Sequence, residues 1–237
     1  MGIVPAIGRR SRWGPPAGAA LDWNHPLSQG LVGFWTGDGT DPTGKLPLVP
    51  SGATRDVGQF GDGAVMVTTG ANMSAVALPE HKVGPPISIV VVYTKLGVAA
   101  VDNCPLFGLL VNNANSPYAA YSVWSAGGSG NLWAMANNAG VLVTGAQVPL
   151  ANGAHVVVVT FTPSTIDTWL DAKRSASAAV TVNPTFPGTC LIATGAVGGR
   201  ANTTLNCTFH AGSIYNRILS ANEIAMLAAD PFCMFQS

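Results

Sequence analysis

The 237-residue sequence predicts an all-β protein: a β-sandwich of two antiparallel sheets, with one short C-terminal helix and an extended N-terminal arm. Three observations carry the prediction. Apolar runs are short, frequent and separated by turn formers, with 28 glycines and 17 prolines in the chain, the pattern of many short strands in a sandwich. One run, Ile87–Thr94 (ISIVVVYT), is apolar and β-branched without alternation, as a strand buried on both faces requires. Only one stretch, near the end, carries both start and stop signals of a helix. A hydrophobic content of 48% is ample for a core, and about 200 to 250 residues is an ordinary size for a single sandwich.

Residues 1–24 read as the arm. They carry Arg9, Arg10, Arg12 and Trp13 among glycines and prolines, with no period of strand or helix. Strands follow at Leu31–Thr36, Ala64–Thr69, Ser74–Leu78, Ile87–Thr94, Leu106–Val111, Ala120–Ser125, Leu132–Ala136 and, more weakly, Val141–Gln147. His155–Phe161 and Ile166–Asp171 form a hairpin across Thr162–Thr165. Ala178–Val182, Thr189–Thr194 and Leu205–Tyr215 complete the set. Ser220 and Glu223 are spaced as a capping box, Leu219 and Ile224 as a hydrophobic staple, and Pro231 stops the helix. The chain divides into an arm (1–24) and one domain (25–237).

Charge is scarce. Nine aspartates, two glutamates, four lysines and seven arginines sum to zero net charge, where an average domain of this length carries about 59 charged side chains. A folded chain of this mass exposes on the order of 10,000 Å². So neutral a surface favours association, and the expectation is a homo-oligomer whose surface is largely covered in its working state. Zero net charge argues against a nucleic-acid partner. No apolar run approaches the roughly 18 residues of a membrane helix, so no membrane partner is expected, and the first residues show no secretory signal. Cys104, Cys190, Cys207 and Cys233 match neither a zinc nor a redox spacing; buried thiols in a reducing cytoplasm are favoured over a disulfide.

Four segments resemble a known superfamily. GLVGFW (Gly30–Trp35) is similar to its opening strand, Phe60–Glu80 to its small-residue hairpin, Asn152–Ser177 to its strand-turn-strand segment, and Phe209–Pro231 to its final strand and closing helix. Together they resemble the laminin-G-like, concanavalin A-like lectin-glucanase superfamily, which implies a jelly roll. The opening Asp22–Trp35 and the ending Asp230-Pro231-Phe232 are similar to the form seen in virion proteins of tailed bacteriophages. That resemblance implies a structural virion protein, first a capsid decoration or cement protein bound to major capsid or tail subunits, made in the host bacterial cytoplasm. The alternative is a carbohydrate-binding module of a tail or fibre. The chain departs from the pattern at Asp171-Ala172, where the superfamily has aspartate-glycine, and at Ser213-Ile214, where it has an acidic pair. With acids this sparse, no calcium site is carried over.

The same scarcity argues against catalysis. A retaining glycosidase needs two carboxyls about 5 Å apart; Glu80 lies in a Pro-flanked loop, Glu223 is committed to the cap, and Asp167 and Asp171 are spaced to share a strand face. His25, His81, His155 and His210 are scattered, without metal-binding spacing. The expectation is therefore no enzyme, no metal and no cofactor. Two candidate sites remain. Tyr118, Tyr121, Trp124 and Trp133 surround a Gly-rich hairpin and are candidates for a sugar-stacking platform, with Asn112, Asn113, Asn115, Asn137 and Asn138 as hydroxyl partners. Arg9, Arg10, Arg12 and Trp13 are candidates for docking the arm on an acidic partner surface.

Overall fold

A computed structural model describes residues 19–58, 61–67, 70–97, 103–111, 119–186, 189–195 and 205–236. Its strands are β1 (Ala20–Leu21), β2 (Leu31–Thr36), β3 (Val49–Ser51), β4 (Thr54–Gly58), β5 (Gly61–Val65), β6 (Asn72–Val76), β7 (Ile87–Lys95), β8 (Cys104–Val111), β9 (Ala119–Ser125), β10 (Leu132–Asn138), β11 (Val141–Thr144), β12 (Gly153–Phe161), β13 (Thr165–Leu170), β14 (Lys173–Ala179), β15 (Cys190–Gly195), β16 (Cys207–Tyr215) and β17 (Phe235–Gln236). One helix, α1, spans Ala221–Ala229. A seven-stranded sheet runs β11-β10-β9-β8-β15-β6-β3. An eight-stranded sheet runs β14-β13-β12-β7-β16-β5-β4, with β2 also on β16. The described pairings within both sheets are antiparallel, so the predicted sandwich is the observed one.

The two sheets enclose a core that includes Trp35, Tyr93, Phe107, Tyr121, Phe161 and Phe209, none more than 1% exposed. A second apolar cluster lies on the other side of the eight-stranded sheet. There Val90, Val92, Val156 and Val158 pack with Leu219, Ile224 and Leu227 at α1 and with Phe232, Met234 and Phe235. Both faces of β7 and β12 are thus buried, the reason their sequences read as unbroken apolar runs. The capping box is formed: Ser220 N–H donates to Glu223 Oε2 at 2.8 Å, and Glu223 N–H to Ser220 Oγ at 3.3 Å. Arg217 fastens this layer, donating to both Glu223 oxygens at 2.6 and 2.9 Å and to the carbonyls of Gln29 and Pro26.

Several expected boundaries move. The predicted arm ends earlier, because Ala20 and Leu21 pair with Gln236 and Phe235 and Asp22 N–H donates to the Met234 carbonyl; the segment from Ala19 belongs to the domain. Arg9, Arg10, Arg12 and Trp13 lie outside the described residues. The strand expected at Ala178–Val182 is instead β14, Lys173–Ala179. Asp171 and Ala172 form a two-residue turn between Leu170 and Lys173, with φ of 49° and 69°, the positive values a type I′ hairpin needs. This turn sends the chain straight back. β3 and β4 escape the apolar pattern because they are short sheet edges, β3 holding Pro50 where an edge tolerates it. Gly108 on β8 sits at φ 154°, and a Cβ there would lie 2.4 Å from the Tyr121 carbonyl, so the β8–β9 contact demands glycine.

Candidate functional site

α1 and the C-terminal segment pack on the middle strands of the eight-stranded sheet, whereas α1 contributes nothing to the outer cluster of the seven-stranded sheet, which makes that face the candidate for a ligand. Alternation along β10 points Leu132, Ala134 and Ala136 into the core. Asn131, Trp133, Met135 and Asn137 therefore share the outer face. Trp133 is directly opposite Trp124 on β9, and both belong to an outer cluster with Leu110, Met135 and Ala193.

The four platform aromatics are not brought together. Tyr121 is 1% exposed and faces the inner core, edge-on to Phe161 at 5.3 Å. Trp124 is on the outer face but also 1% exposed, its Nε1–H held by the Ser122 hydroxyl. Neither ring offers a face to a sugar, a correction to the sequence-based platform. Tyr118 lies outside the described residues. Among the described platform aromatics, Trp133 is the one that is partly exposed, and its Nε1–H donates to the Gly145 carbonyl at 3.0 Å. That bond fixes the indole plane before any ligand arrives.

The amide partners are also redistributed. Asn137 is buried and bonded both ways to Thr185, at 2.9 and 2.8 Å. Asn112, Asn113 and Asn115 lie outside the described residues. Asn131 and Gln147 take their place: Asn131 Nδ2 donates to Gln147 Oε1 at 3.2 Å. The bridge between Leu132 and Val148 aligns the two segments. The pairing itself uses neither the Asn131 Oδ1 acceptor nor the two Gln147 side-chain N–H donors, and the Leu132–Val148 bridge puts both residues next to Trp133 in the fold. Sequence reasoning missed both residues, although Asn131 stands two positions before Trp133, the strand period.

Ionisable groups are engaged elsewhere. The Asp167–Asp171 carboxylate pair does not form a shared face. Asp167 accepts from Arg174 at 2.6 Å, while Asp171, in the turn, accepts from His155 Nδ1 at 2.8 Å and from Val156 N–H. The Asp171 bond raises the His155 pKa against the opposing effect of burial. Burial works against the Asp171 carboxylate, but the His155 and Val156 bonds outweigh it and its pKa falls below the usual value. The Arg217 bond, working against burial and helped by Ser220, brings Glu223 down to about 2. Lys95 is 6% exposed and donates to the carbonyls of Gly130 and Leu150 at 2.9 and 2.7 Å; burial lowers its pKa. His25 Nδ1 caps the short helical turn at Pro26–Ser28, and His81 Nδ1 accepts from Leu78 N–H. His210 is bonded to Thr94 Oγ1. Among the described residues, no three His, Cys, Asp or Glu side chains gather as a metal site.

No protein-family model matches the chain, and no curated protein does. Solved structures do. Trypanosoma rangeli sialidase superposes with a TM-score of 0.65 at 18% identity, over 86% of this chain and 33% of the sialidase. The binding domain of Botulinum Neurotoxin DC in complex with SialylT gives 0.63 at 12%, over 84% of this chain and 51% of that one. The binding domain of Paraclostridial Mosquitocidal Protein 1 gives 0.63 at 11%, over 87% and 53%. This chain therefore spans a third to a half of these neighbours. The likeness establishes a shared β-sandwich fold, compatible with the jelly roll expected from sequence. It also contradicts the expectation that the chain is not an enzyme: the neighbours include sialidases, which are enzymes and match this chain over about a third of their length, beside binding domains.

Proposed function

We propose that this chain is a lectin-like carbohydrate-binding β-sandwich, with its site on the outer face of the seven-stranded sheet. The observation that carries the reading is Trp133, a partly buried ring on the outer face whose Nε1–H is held by the Gly145 carbonyl, next to the Asn131–Gln147 amide pair. An aromatic face takes the C–H face of a sugar ring. An adjacent acceptor and donor match hydroxyls, which both give and accept hydrogen bonds. Neighbours solved with SialylT and with sialic acid support a glycan as the partner. The test is calorimetric titration of glycans that score on an array, against wild type and Trp133→Ala. The variant is expected to melt normally and to lose about tenfold or more in affinity, from the ~1 kcal/mol scale of an aromatic contact plus its lost area. Unchanged affinity in Trp133→Ala would refute the placement.

A second reading follows from the charge scarcity. Twenty-two formal charges serve 10,041 Å² of surface, and Asp41 and Lys95 among them are buried. We propose that the domain works as a homo-oligomer on a tailed-phage virion, as decoration of the capsid or as part of a tail or fibre. The bacteriophage resemblance of Asp22–Trp35 and Asp230-Pro231-Phe232 supports this, and Arg9, Arg10, Arg12 and Trp13 would supply further contacts. Light scattering of the full chain and of a chain lacking residues 1–18 tests it. An oligomer that becomes a monomer on truncation supports the reading, and a full-length monomer at micromolar concentration contradicts it.

A further inference from the structure

The charges of this protein are not merely few; they are segregated. None of the seven strands β11, β10, β9, β8, β15, β6 and β3 contains an Asp, Glu, Lys, Arg or His. The eight-stranded sheet carries Arg55, Asp56, Asp62, Lys95, His155, Asp167, Lys173, Arg174 and His210 within its strands. Among the described residues, the strands of the open sheet stay uncharged out to its far edge. Met73 and Ala75 pack on the core, so Ser74 and Val76 point outward, and Val49 pairs with Ser74. Val49 and Val76 are 65% and 59% exposed.

Among the described residues, Lys95 is a charged group bonded to the turn just before Asn131, at the Gly130 carbonyl. It alternates with Val92 and Thr94 along β7, so it points between the sheets, and its ammonium is taken by the Gly130 and Leu150 carbonyls. It is not presented to a ligand on the outer face. A sialic acid carries a carboxylate. Holding that anion without a cation costs desolvation that aromatic and amide contacts do not return. A neutral hexose asks for what the patch offers: an apolar plane, one acceptor and one donor.

Resting on the glycan reading above, we infer that the sugar bound at Trp133 is neutral, an uncharged hexose or N-acetylhexosamine unit rather than a sialic acid. This separates the chain from the ligands of the neighbours that share its fold. The test titrates lactose, maltotriose, chitotriose and sialyllactose into the full chain and into Trp133→Ala. It repeats the best titration as salt rises from about 50 mM to about 500 mM, which shortens the range of charge attraction to a few ångström. The inference expects at least one neutral probe to bind as well as sialyllactose or better. It also expects affinity unchanged within about twofold across the salt range, and a loss of about tenfold or more in Trp133→Ala. Preference for sialyllactose of tenfold or more, with affinity falling in salt, overturns the inference while leaving the glycan reading standing. Binding of neutral probes untouched by Trp133→Ala overturns the placement and the inference together. Binding of no probe overturns both the inference and the glycan reading.

Discussion

Replacing Glu223 with glutamine keeps the shape of the capping side chain and removes its charge. The carboxylate accepts from both terminal nitrogens of Arg217, from Ser220 N–H and from the Ser220 hydroxyl, and its pKa falls from 4.5 to about 2. A carboxyl whose folded pKa is depressed contributes stability that is present above the unfolded pKa and lost as pH falls through the folded one. A shift of this size corresponds to ~3 kcal/mol at pH 7 and, by the same linkage, to ~1 kcal/mol at pH 3. The side chains of Arg217 and Glu223 are 28% and 17% exposed, so solvent screening reduces the expected loss in Glu223→Gln to ~2 kcal/mol at pH 7. For a domain of this size that is a fall of about 4–8 °C in melting temperature. Urea unfolding of both proteins between pH 7 and pH 3 measures it: the gap should narrow steadily below pH 4.5. A difference under ~0.5 kcal/mol at pH 7, or one constant with pH, would refute the claim that this ion pair clamps α1 and the Pro26–Gln29 segment to β16.

Other predictions follow from the turn, the histidine and the tight strand contact. Ala172 pays the left-handed cost at φ 69°, so Ala172→Gly should stabilise by about 0.5–1 kcal/mol, seen as a melting temperature raised by about 1–3 °C; a lower one would show that the turn is not strained. His155 faces acceptors on both ring nitrogens, Asp171 Oδ2 and the Ala151 carbonyl, and its raised pKa makes its contribution full below 6.5 and lost as pH rises through the folded value. Wild type should therefore lose stability relative to His155→Gln as pH rises above 6.5; a difference in melting temperature that stays constant as pH rises would contradict it. Gly108→Ala should destabilise by more than ~2 kcal/mol, because the new methyl meets the Tyr121 carbonyl; a near-neutral effect in denaturant would show that β8 can shift.

Much of the fold was legible because it is written locally. The apolar runs of β7 and β12, the Ser220–Glu223 spacing and the turn chemistry between β12 and β13 are each contained within a few residues. The candidate site was less legible because it is assembled by register. Which of Tyr121, Trp124 and Trp133 faces outward depends on strand parity, and β8 shifts register twice against β9. Gln147 reaches Asn131 through the Leu132–Val148 bridge, a contact no local pattern announces. Acid counts alone do not decide whether the chain is an enzyme, since about a third of a sialidase shares its fold.

The most direct test of the account is a nuclear magnetic resonance titration of the chain with the best-binding neutral oligosaccharide. The account predicts that the Trp133 indole N–H and the Asn131 and Gln147 side-chain amides shift first and saturate together, while α1 and the Glu223 region stay still. Shifts confined to α1 or the eight-stranded sheet, or none at saturating sugar, would contradict it.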